Sequence, residues 1–378
     1  MTRRLAQLIV LALVGTGATA FADGLPPLPG PAPRPLGPHS PAQRVSRNSS
    51  CVACHPDIAA EWATSLHKRA WVDPVFLSAF QIEPMAFCSN CHAPERRAAG
   101  ETPALDDPAR ELGVGCVTCH VESGEVVGAH ATSEAAMHPV LADARLATPA
   151  ACASCHQFDF PSEAHQISPQ PMQDTVSEHA RSSAKDTPCQ RCHMPTVDGP
   201  DGRHKSHAFS VIGDPGMVRR AVDVSAARLD ERTLAVTLTP AQVGHAFPTG
   251  DLFRRLVVRA QAVDARGRVL AHAPAVLLAR SFVDEPRDPH GADLTFQRVE
   301  AEDTRVPPPG VAPPPRIVLA QPAARADSRL RYQVVYQRMS TPMANAFRVS
   351  QVLDEIIVAE GELPPSVPRP LAANGARR

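Results

Sequence analysis

The cysteines constrain this chain more than any other feature, because all ten fall into five copies of one pattern, C-x-x-C-H, and none is left over. In this pattern two thiols form thioether bonds to the vinyl groups of a haem, and the adjacent histidine binds the iron as its proximal ligand. The predicted thioether residues are Cys51, Cys54, Cys88, Cys91, Cys116, Cys119, Cys152, Cys155, Cys189 and Cys192. The predicted proximal ligands are His55, His92, His120, His156 and His193. The sequence therefore predicts five haem c groups.

Two other uses of paired cysteines fit the pattern less well. An exported protein with an even number of cysteines can form disulfides, but a disulfide framework has no need of a histidine after every second cysteine. Zinc sites also use C-x-x-C pairs, but they combine two half-sites, and five is an odd number. We therefore favour haem over zinc and disulfides.

The N-terminus predicts export. Arg3 and Arg4 precede an apolar run, Leu5–Val14, and Ala20-Phe21-Ala22 resembles a cleavage site. These are the features of a signal peptide, here residues 1–22, and the apolar run is too short to span a membrane. Without it the net charge falls from −1 to −3. The composition gives no indication of nucleic-acid binding, and we expect a protein without a transmembrane segment, in the periplasm or outside the cell.

The composition also indicates how the chain is organised. Aromatic residues make up 4% of it, which is little for a core of 378 residues, and haem groups would supply the missing flat apolar bulk. Residues 23–47 are proline-rich and predict an extended linker. The motifs lie within residues 48–212, where we expect a mostly helical or irregular pentahaem cytochrome domain wrapped around its haems. Apolar residues at helical spacing predict a helix from Asp57 to Ala70.

After residue 213 the pattern changes to alternation of apolar and polar residues. Val222–Ala226 and Leu234–Leu238 predict a hairpin. Further short strands are predicted around residues 256–263, 269–271, 275–279, 294–299, 329–335 and 352–358. We therefore predict a β-rich C-terminal domain, residues 213–362, with a β-sandwich-like fold, and a tail at 363–378. The fold class is α+β, with two domains.

The second axial ligand of each iron, the distal ligand, decides whether that iron is saturated. Eleven histidines remain after the proximal five, and they exceed the five that are needed: His39, His67, His130, His138, His165, His179, His204, His207, His245, His272 and His290. We predict the distal ligands to be His67, His130, His179, His207 and His245.

Three of these assignments leave alternatives. His130 is preferred because Gly128-Ala129 lets the chain approach a haem edge, although His138 could serve equally. His204 competes with His207. His245 lies between a small residue and a Pro-Thr-Gly turn, and it either ligates a haem or is an ordinary turn residue. With five saturated irons, we expect no rapid binding of carbon monoxide.

These residues carry a family resemblance. The haem half resembles multihaem cytochromes related to the tetrahaem cytochrome of ammonia oxidisers and to hydroxylamine oxidoreductase. Their W-x-x-S-x-H is matched by Trp62, Ser65 and His67, and their C-x-x-C-H-M-P with a later S-H by residues 189–195 and 206–207. Their G-H-x-x-P-T-G is matched by residues 244–250, so the resemblance covers roughly residues 48–255.

The resemblance implies electron transfer or redox catalysis, since the superfamily contains carriers and enzymes. Hydroxylamine oxidoreductase has eight motifs, whereas this chain has five. Pentahaem nitrite reductase has a C-x-x-C-K motif, which is missing from the sequence. We therefore predict a carrier that exchanges electrons with redox partner proteins, after haem attachment by the cytochrome c maturation machinery. The alternatives are an oxidoreductase with one open haem, acting on a small nitrogen or sulfur compound, and a subunit of a haem-stacking filament.

Overall fold

A computed structural model describes residues 40–366, apart from 83, 97–103, 105, 133–136, 161–169, 201, 212, 287–295 and 350–354. The predicted signal peptide, most of the predicted linker and residues 367–378 lie outside the described residues. Among the residues described, no helix is both long and apolar enough to cross a bilayer. Helices and sheets are both abundant, which confirms the predicted mixed α+β class.

The haem-motif half, residues 40–211, contains short helices joined by loops. The helices are α1 (Pro41–Cys54), α2 (Pro56–Thr64), α3 (Pro74–Ile82), α4 (Ser89–His92), α5 (Ala109–Leu112), α6 (Cys116–His120), α7 (Ala150–His156), α8 (Thr175–Arg181) and α9 (Cys189–His193), with 3₁₀ turns at Ala86–Cys88 and Ala144–Ala147. Every motif lies in one of these helices or adjoins it. The two cysteines of a motif, three positions apart, therefore lie on one helical face, where both can reach the same ring.

Two helices differ from the sequence prediction at their ends. α1 begins at Pro41, inside the predicted linker, because Ser40 and Gln43 form a capping box that starts the helix there. The helix predicted from Asp57 to Ala70 ends at Thr64. Ser65 adopts extended backbone and its hydroxyl donates to the carbonyl of Trp62, which takes one of the helix's terminal acceptors.

Small sheets follow the later motifs. Their strands are β1 (Val121–Glu122), β2 (Glu125–Gly128), β3 (Leu141–Ala142), β4 (Gln157–Asp159), β5 (Pro171–Asp174), β6 (Thr196–Gly199) and β7 (Gly202–Lys205). β1, β2 and β3 form one sheet, and β4–β5 and β6–β7 form two-stranded ladders. The sequence indicated little strand character here, because strands this short carry almost no alternation signal.

The β half, residues 213–366, is built from longer strands. It contains α10 (Pro215–Arg220), β8 (Val222–Arg228), β9 (Thr233–Pro240), β10 (Arg255–Val263), β11 (Val269–His272), β12 (Val276–Leu278), β13 (Arg280–Pro286), β14 (Phe296–Asp303), β15 (Arg316–Ala320), β16 (Arg329–Gln337), α11 (Thr341–Ala346) and β17 (Ile356–Leu363). The predicted hairpin is confirmed as the antiparallel pair β8–β9.

The β half has two main antiparallel sheets that share one core. One has the order β11-β10-β16-β17, with β12 also paired to β10, and the other has the order β15-β9-β8. Leu234 and Leu238 of β9 are fully buried, as are Leu256 of β10 and Leu330 of β16, and all belong to one apolar cluster. This core holds the β half together without any contribution from haem.

Side chains from both halves form ion pairs and hydrogen bonds across the boundary. Both terminal nitrogens of the Arg338 guanidinium, Nη1 and Nη2, donate to the carboxylate of Asp73, at 2.9 and 2.6 Å. Arg280 donates to the carbonyls of Pro171 and Met172 at 2.7 and 3.1 Å, and its guanidinium lies over the ring of Phe282, 4.7 Å from the centroid. The β half is therefore docked against the motif-bearing half through charged and polar contacts.

Within the haem-motif half, the fully buried carboxylate of Glu95 connects three motifs. It follows the second motif, accepts from the backbone and hydroxyl of Thr118 inside the third motif at 3.1 and 2.8 Å, and accepts from Asn48 just ahead of the first. Asn48 in turn accepts from the backbone of Val117. Burial raises the pKa of Glu95 from 4.5 to about 7, partly offset by these bonds and by Arg44.

We expect Glu95→Gln to change how stability depends on pH. A raised folded-state pKa contributes stability that is complete below pH 4.5 and is lost as the pH rises through about 7. In the wild type this loss amounts to about 3 kcal/mol in the free energy of unfolding, or about 5 °C in the thermal midpoint. In the variant we expect no such loss, because glutamine does not titrate. Thermal midpoints measured across this window for both proteins check the prediction, and parallel pH curves would contradict it.

Candidate functional site

Four motif histidines each lie opposite a second histidine. We number the attachment sites 1 to 5 in chain order. The ring centroids of His55 and His138 are 6.2 Å apart at site 1, and those of His120 and His207 are 6.0 Å apart at site 3. The remaining pairs are His156 with His67 at site 4, 6.3 Å, and His193 with His245 at site 5, 6.2 Å.

These separations fit an iron between the rings. Two metal–nitrogen bonds of about 2 Å, plus about 1.2 Å from each nitrogen to its ring centre, give a centroid distance of about 6.4 Å. Rings stacked face to face would be much closer, as with the 3.7 Å stack of Phe76 on His92. The residues present therefore fit haem iron with two histidine ligands at four sites.

Backbone carbonyls fix the orientation of several rings. Nδ1 of His120 donates to Val127 at 3.0 Å, Nδ1 of His207 to Lys205 at 2.7 Å and Nδ1 of His245 to Ala246 at 2.9 Å. A carbonyl only accepts, so each Nδ1 carries the proton and Nε2 is left as a lone-pair donor for a metal.

Burial keeps four of the paired histidines, those of sites 4 and 5, in the neutral form that binds metal. It lowers the pKa of His156 to about 3 and that of His67 to about 4, and the nearby histidines add to the effect. At site 5 burial lowers the pKa of both His193 and His245 to about 4. We expect these four imidazoles to stay neutral and ready to ligate down to mildly acidic pH.

The loop that carries His245 is shaped by its two glycines. A Cβ at Gly244 would lie 3.1 Å from the ring of His179, so the close approach favours glycine. Gly250 has φ +104°, a left-handed conformation, and a side chain there would meet the guanidinium of Arg254 at 2.9 Å. Arg254 donates to the carbonyl of Thr249 and pairs with Asp251. The placement of His245 beside the fifth motif agrees with the predicted tie between the halves.

The structure places His138 opposite His55. The sequence prediction preferred His130 as a distal ligand and gave His138 as the alternative. His130 is exposed, and in the described residues its ring contacts no motif histidine. His138 instead faces His55, with its Nδ1 3.3 Å from the carbonyl of Pro139. In this structure the histidine opposite His55 is therefore His138, and the assignment of His130 as a distal ligand stays a prediction.

His179 is also placed differently from the prediction. Its ring is buried in α8, where Nε2 donates to the carbonyl of Thr187 at 2.8 Å, so the nitrogen that would bind iron is already used. His204, the competitor of His207, donates its Nε2 to Glu61 at 3.2 Å. Glu61 also accepts from the backbone of His207 at 2.7 Å, which helps to hold His207 opposite His120.

Site 2 differs from the other four. Nδ1 of His92 donates to the carbonyl of Ala70 at 2.6 Å, which leaves Nε2 free for a metal. Its imidazole is buried under Phe76, with Trp71 and Phe80 packed around that ring. Within the described ranges no histidine lies opposite His92; His39, His165 and His290 fall outside them.

Contacts between cysteines show which sites are neighbours. The thiols of Cys51 and Cys116 are hydrogen-bonded, which joins sites 1 and 3, and Cys91 contacts Cys155, which joins sites 2 and 4. Cys152, of site 4, contacts Cys189 of site 5. It also lies close enough to Cys119, of site 3, to interact electrostatically. The sites therefore follow the order 1–3–4–5, with site 2 beside site 4.

One residue at the centre of this arrangement was missed in the sequence. The ring of Phe209 contacts His67 at 4.3 Å and His207 at 5.8 Å, between the distal positions of sites 4 and 3. Its backbone has φ +45°, which is rare for a bulky residue. The only sequence signal was its position two residues after His207.

The fold and the paired histidines are similar to those of multihaem c-type cytochromes. Residues 50–121 match the family described as cytochrome c554 and c-prime. The whole fold is similar to the crystal structure of a penta-heme cytochrome c552 from Thermochromatium tepidum, with a TM-score of 0.66 and 22% identity over 88% of this chain and 100% of that chain. No curated protein matches the sequence. The predicted multihaem cytochrome fold is thereby confirmed.

Proposed function

We propose that this protein is a pentahaem electron carrier in which four irons have two histidine ligands. The four histidine pairs at 6.0–6.3 Å carry the proposal, since an iron with two imidazole ligands has no vacant position for a substrate. Haem supplies one-electron redox chemistry at each site. The chain supplies four pairs of facing imidazoles, those of sites 4 and 5 buried with a lowered pKa, and a continuous series of neighbouring sites.

The order of the sites supports electron transfer through the molecule. Sites 1 and 5 lie at the ends of the series 1–3–4–5, and they are the sites with an exposed cysteine, Cys54 and Cys192. The cysteines of the intervening sites are less accessible. We propose that redox partner proteins meet the molecule at these two ends.

The proposal includes export and the role of the β half. The signal-peptide features of residues 1–22 support a periplasmic or extracellular location, where haem attachment takes place. We further propose that the two sheets of the β half pack as a sandwich whose function at site 5 is to supply His245. A family relation to hydroxylamine oxidoreductase and a filament of stacked subunits stay predictions.

The haem count tests the proposal directly. We expect the intact mass of the exported protein to equal that of residues 23–378 plus five haem groups, and a pyridine haemochrome assay to give five haems per chain. Replacing both cysteines of one motif by serine should lower the count by one. A mass that shows disulfides or zinc in place of haem would refute the reading of all five motifs.

Site 2 supports a second candidate function, binding of a small ligand at one haem. The observation is that His92 has the orientation of a proximal ligand, whereas the described residues place no histidine opposite it. Trp71, Phe76 and Phe80 line this region, so an incoming ligand would meet an apolar surrounding. A small nitrogen or sulfur compound that exchanges electrons at site 2 would make the protein an oxidoreductase.

A further inference from the structure

A buried ion pair lies between the two halves, next to site 5. The guanidinium of Arg305 donates to Glu178 of α8 at 2.6 Å, and the two side chains are 6% and 3% exposed. Arg305 also pairs with Asp303, its neighbour in sequence, at 2.7 and 2.9 Å. A charge buried to this degree is tolerated only with partners, so the position of each group depends on the others.

The same ion pair holds the loop that carries His245. Arg305 donates to the carbonyl of Pro248 at 3.0 Å, and the hydroxyl of Thr249 donates to the second carboxylate oxygen of Glu178 at 2.8 Å. Phe247 and Val306 exchange two backbone hydrogen bonds at 2.9 and 3.0 Å. The residues that follow His245 are therefore attached to the Arg305–Glu178 pair by side-chain and backbone contacts.

The other side of the pair leads to the proximal ligand. Glu178 lies in α8, and its neighbour His179 donates to the carbonyl of Thr187, two residues before Cys189 of the fifth motif. The ring of His179 also supports Gly244, just before His245. One buried network thus contacts the segments that carry both histidines of site 5.

We propose that Arg305 is a positioning residue for the distal ligand of site 5, acting through Pro248, Thr249 and Glu178. The inference rests on the proposed ligation of that site by His245. The planar guanidinium of Arg305 donates to three groups at once: Glu178, Asp303 and the carbonyl of Pro248. A lysine ammonium cannot reproduce these three contacts at the same distances. Loosening the network should let His245 leave the iron more often without changing the ligand itself.

The test uses the full-length haem-loaded protein and three variants. Arg305→Lys keeps the charge but loses the fork, and Thr249→Val removes the hydroxyl that contacts Glu178 without altering any charge. Arg338→Lys is the matched control, because Arg338 makes the same kind of interdomain pair with Asp73 and has no hydrogen bond to the His245 loop. The measurements are the low-spin resonance spectrum, the midpoint potentials and the rate of carbon monoxide uptake by the reduced protein.

We expect Arg305→Lys to keep five haems but to alter one low-spin signal and one midpoint potential. Carbon monoxide should also bind one additional haem, that of site 5. Its rate of binding there should be about tenfold higher than in Arg338→Lys. If Arg305→Lys does not accumulate, Thr249→Val decides the question with the same readouts. Variants indistinguishable from Arg338→Lys would overturn the inference. His245→Ala distinguishes failure of the proposed ligation from failure of the positioning role. If one haem changes in His245→Ala but not in Arg305→Lys, ligation by His245 is supported and only the positioning role of Arg305 is rejected.

Discussion

Replacing His245 by alanine is expected to convert one haem of the five from low-spin to high-spin. The reason is geometric: His245 lies 6.2 Å from His193, its Nε2 is free, and burial keeps it neutral. Alanine offers the iron no sixth ligand, so the haem of site 5 becomes five-coordinate or binds water. Because haem is attached through cysteines, the count should stay at five.

The same substitution should loosen the β half, since a ligand bond between the halves is lost. Electron paramagnetic resonance of the oxidised protein measures the spin change, and limited proteolysis measures the loosening. His272→Ala is the control, because His272 is an exposed histidine of the same half. Added imidazole should return the haem of His245→Ala to low-spin. An unchanged spectrum would reduce His245 to a turn residue.

Carbon monoxide is expected to bind one haem of the reduced wild-type protein, that of site 2. This expectation differs from the sequence-based prediction of five saturated irons, because the described residues place His138 opposite His55 and place no histidine opposite His92. Under the proposed function four irons would have two histidine ligands, whereas His92 faces aromatic side chains. A ferrous iron without a sixth ligand binds carbon monoxide, so optical titration should end at one equivalent per chain.

Paired cysteine variants assign that binding to a site. The double variant Cys88→Ser with Cys91→Ser should carry four haems and take up no carbon monoxide. The matched double variant Cys51→Ser with Cys54→Ser should also carry four haems but keep one equivalent of uptake. Wild-type protein that binds none would mean that a residue outside the described ranges completes site 2, and the second candidate function would be withdrawn.

The sequence was sufficient to predict the motif residues of each site, because the two cysteines and the histidine are neighbours in the chain. Two cysteines and a histidine in one turn of helix must meet the same ring, so their roles follow from spacing alone. His67, His207 and His245 were also assigned, because each lies in a short motif with a typical surrounding. The direction of a ring is decided by its hydrogen-bond partner, and that partner is set by the fold.

This limit explains why the structure places two of the predicted distal residues, His130 and His179, away from the motif histidines. His179 has a suitable position ahead of the fifth motif, but the carbonyl of Thr187 uses its Nε2. His130 and His138 lie in one segment, and only the path of the chain turns one towards His55. In the β half, β13 was missed because most of its residues are exposed, and β15 because it follows a proline-rich loop. Neither strand has the alternation that revealed β8 and β9.

The paired histidines have a consequence for assembly when they are taken as cross-links along the chain. Their order is 55, 67, 120, 138, 156, 193, 207 and 245, so each iron would close a loop that begins before the previous loop has ended. When one of two overlapping loops has closed, a shorter length of free chain separates the ends of the other loop. The entropic cost of each later closure is therefore lower. The last cross-link overlaps only one other loop and waits for the β half, so an emerging chain can complete the other three pairs before residue 245 arrives.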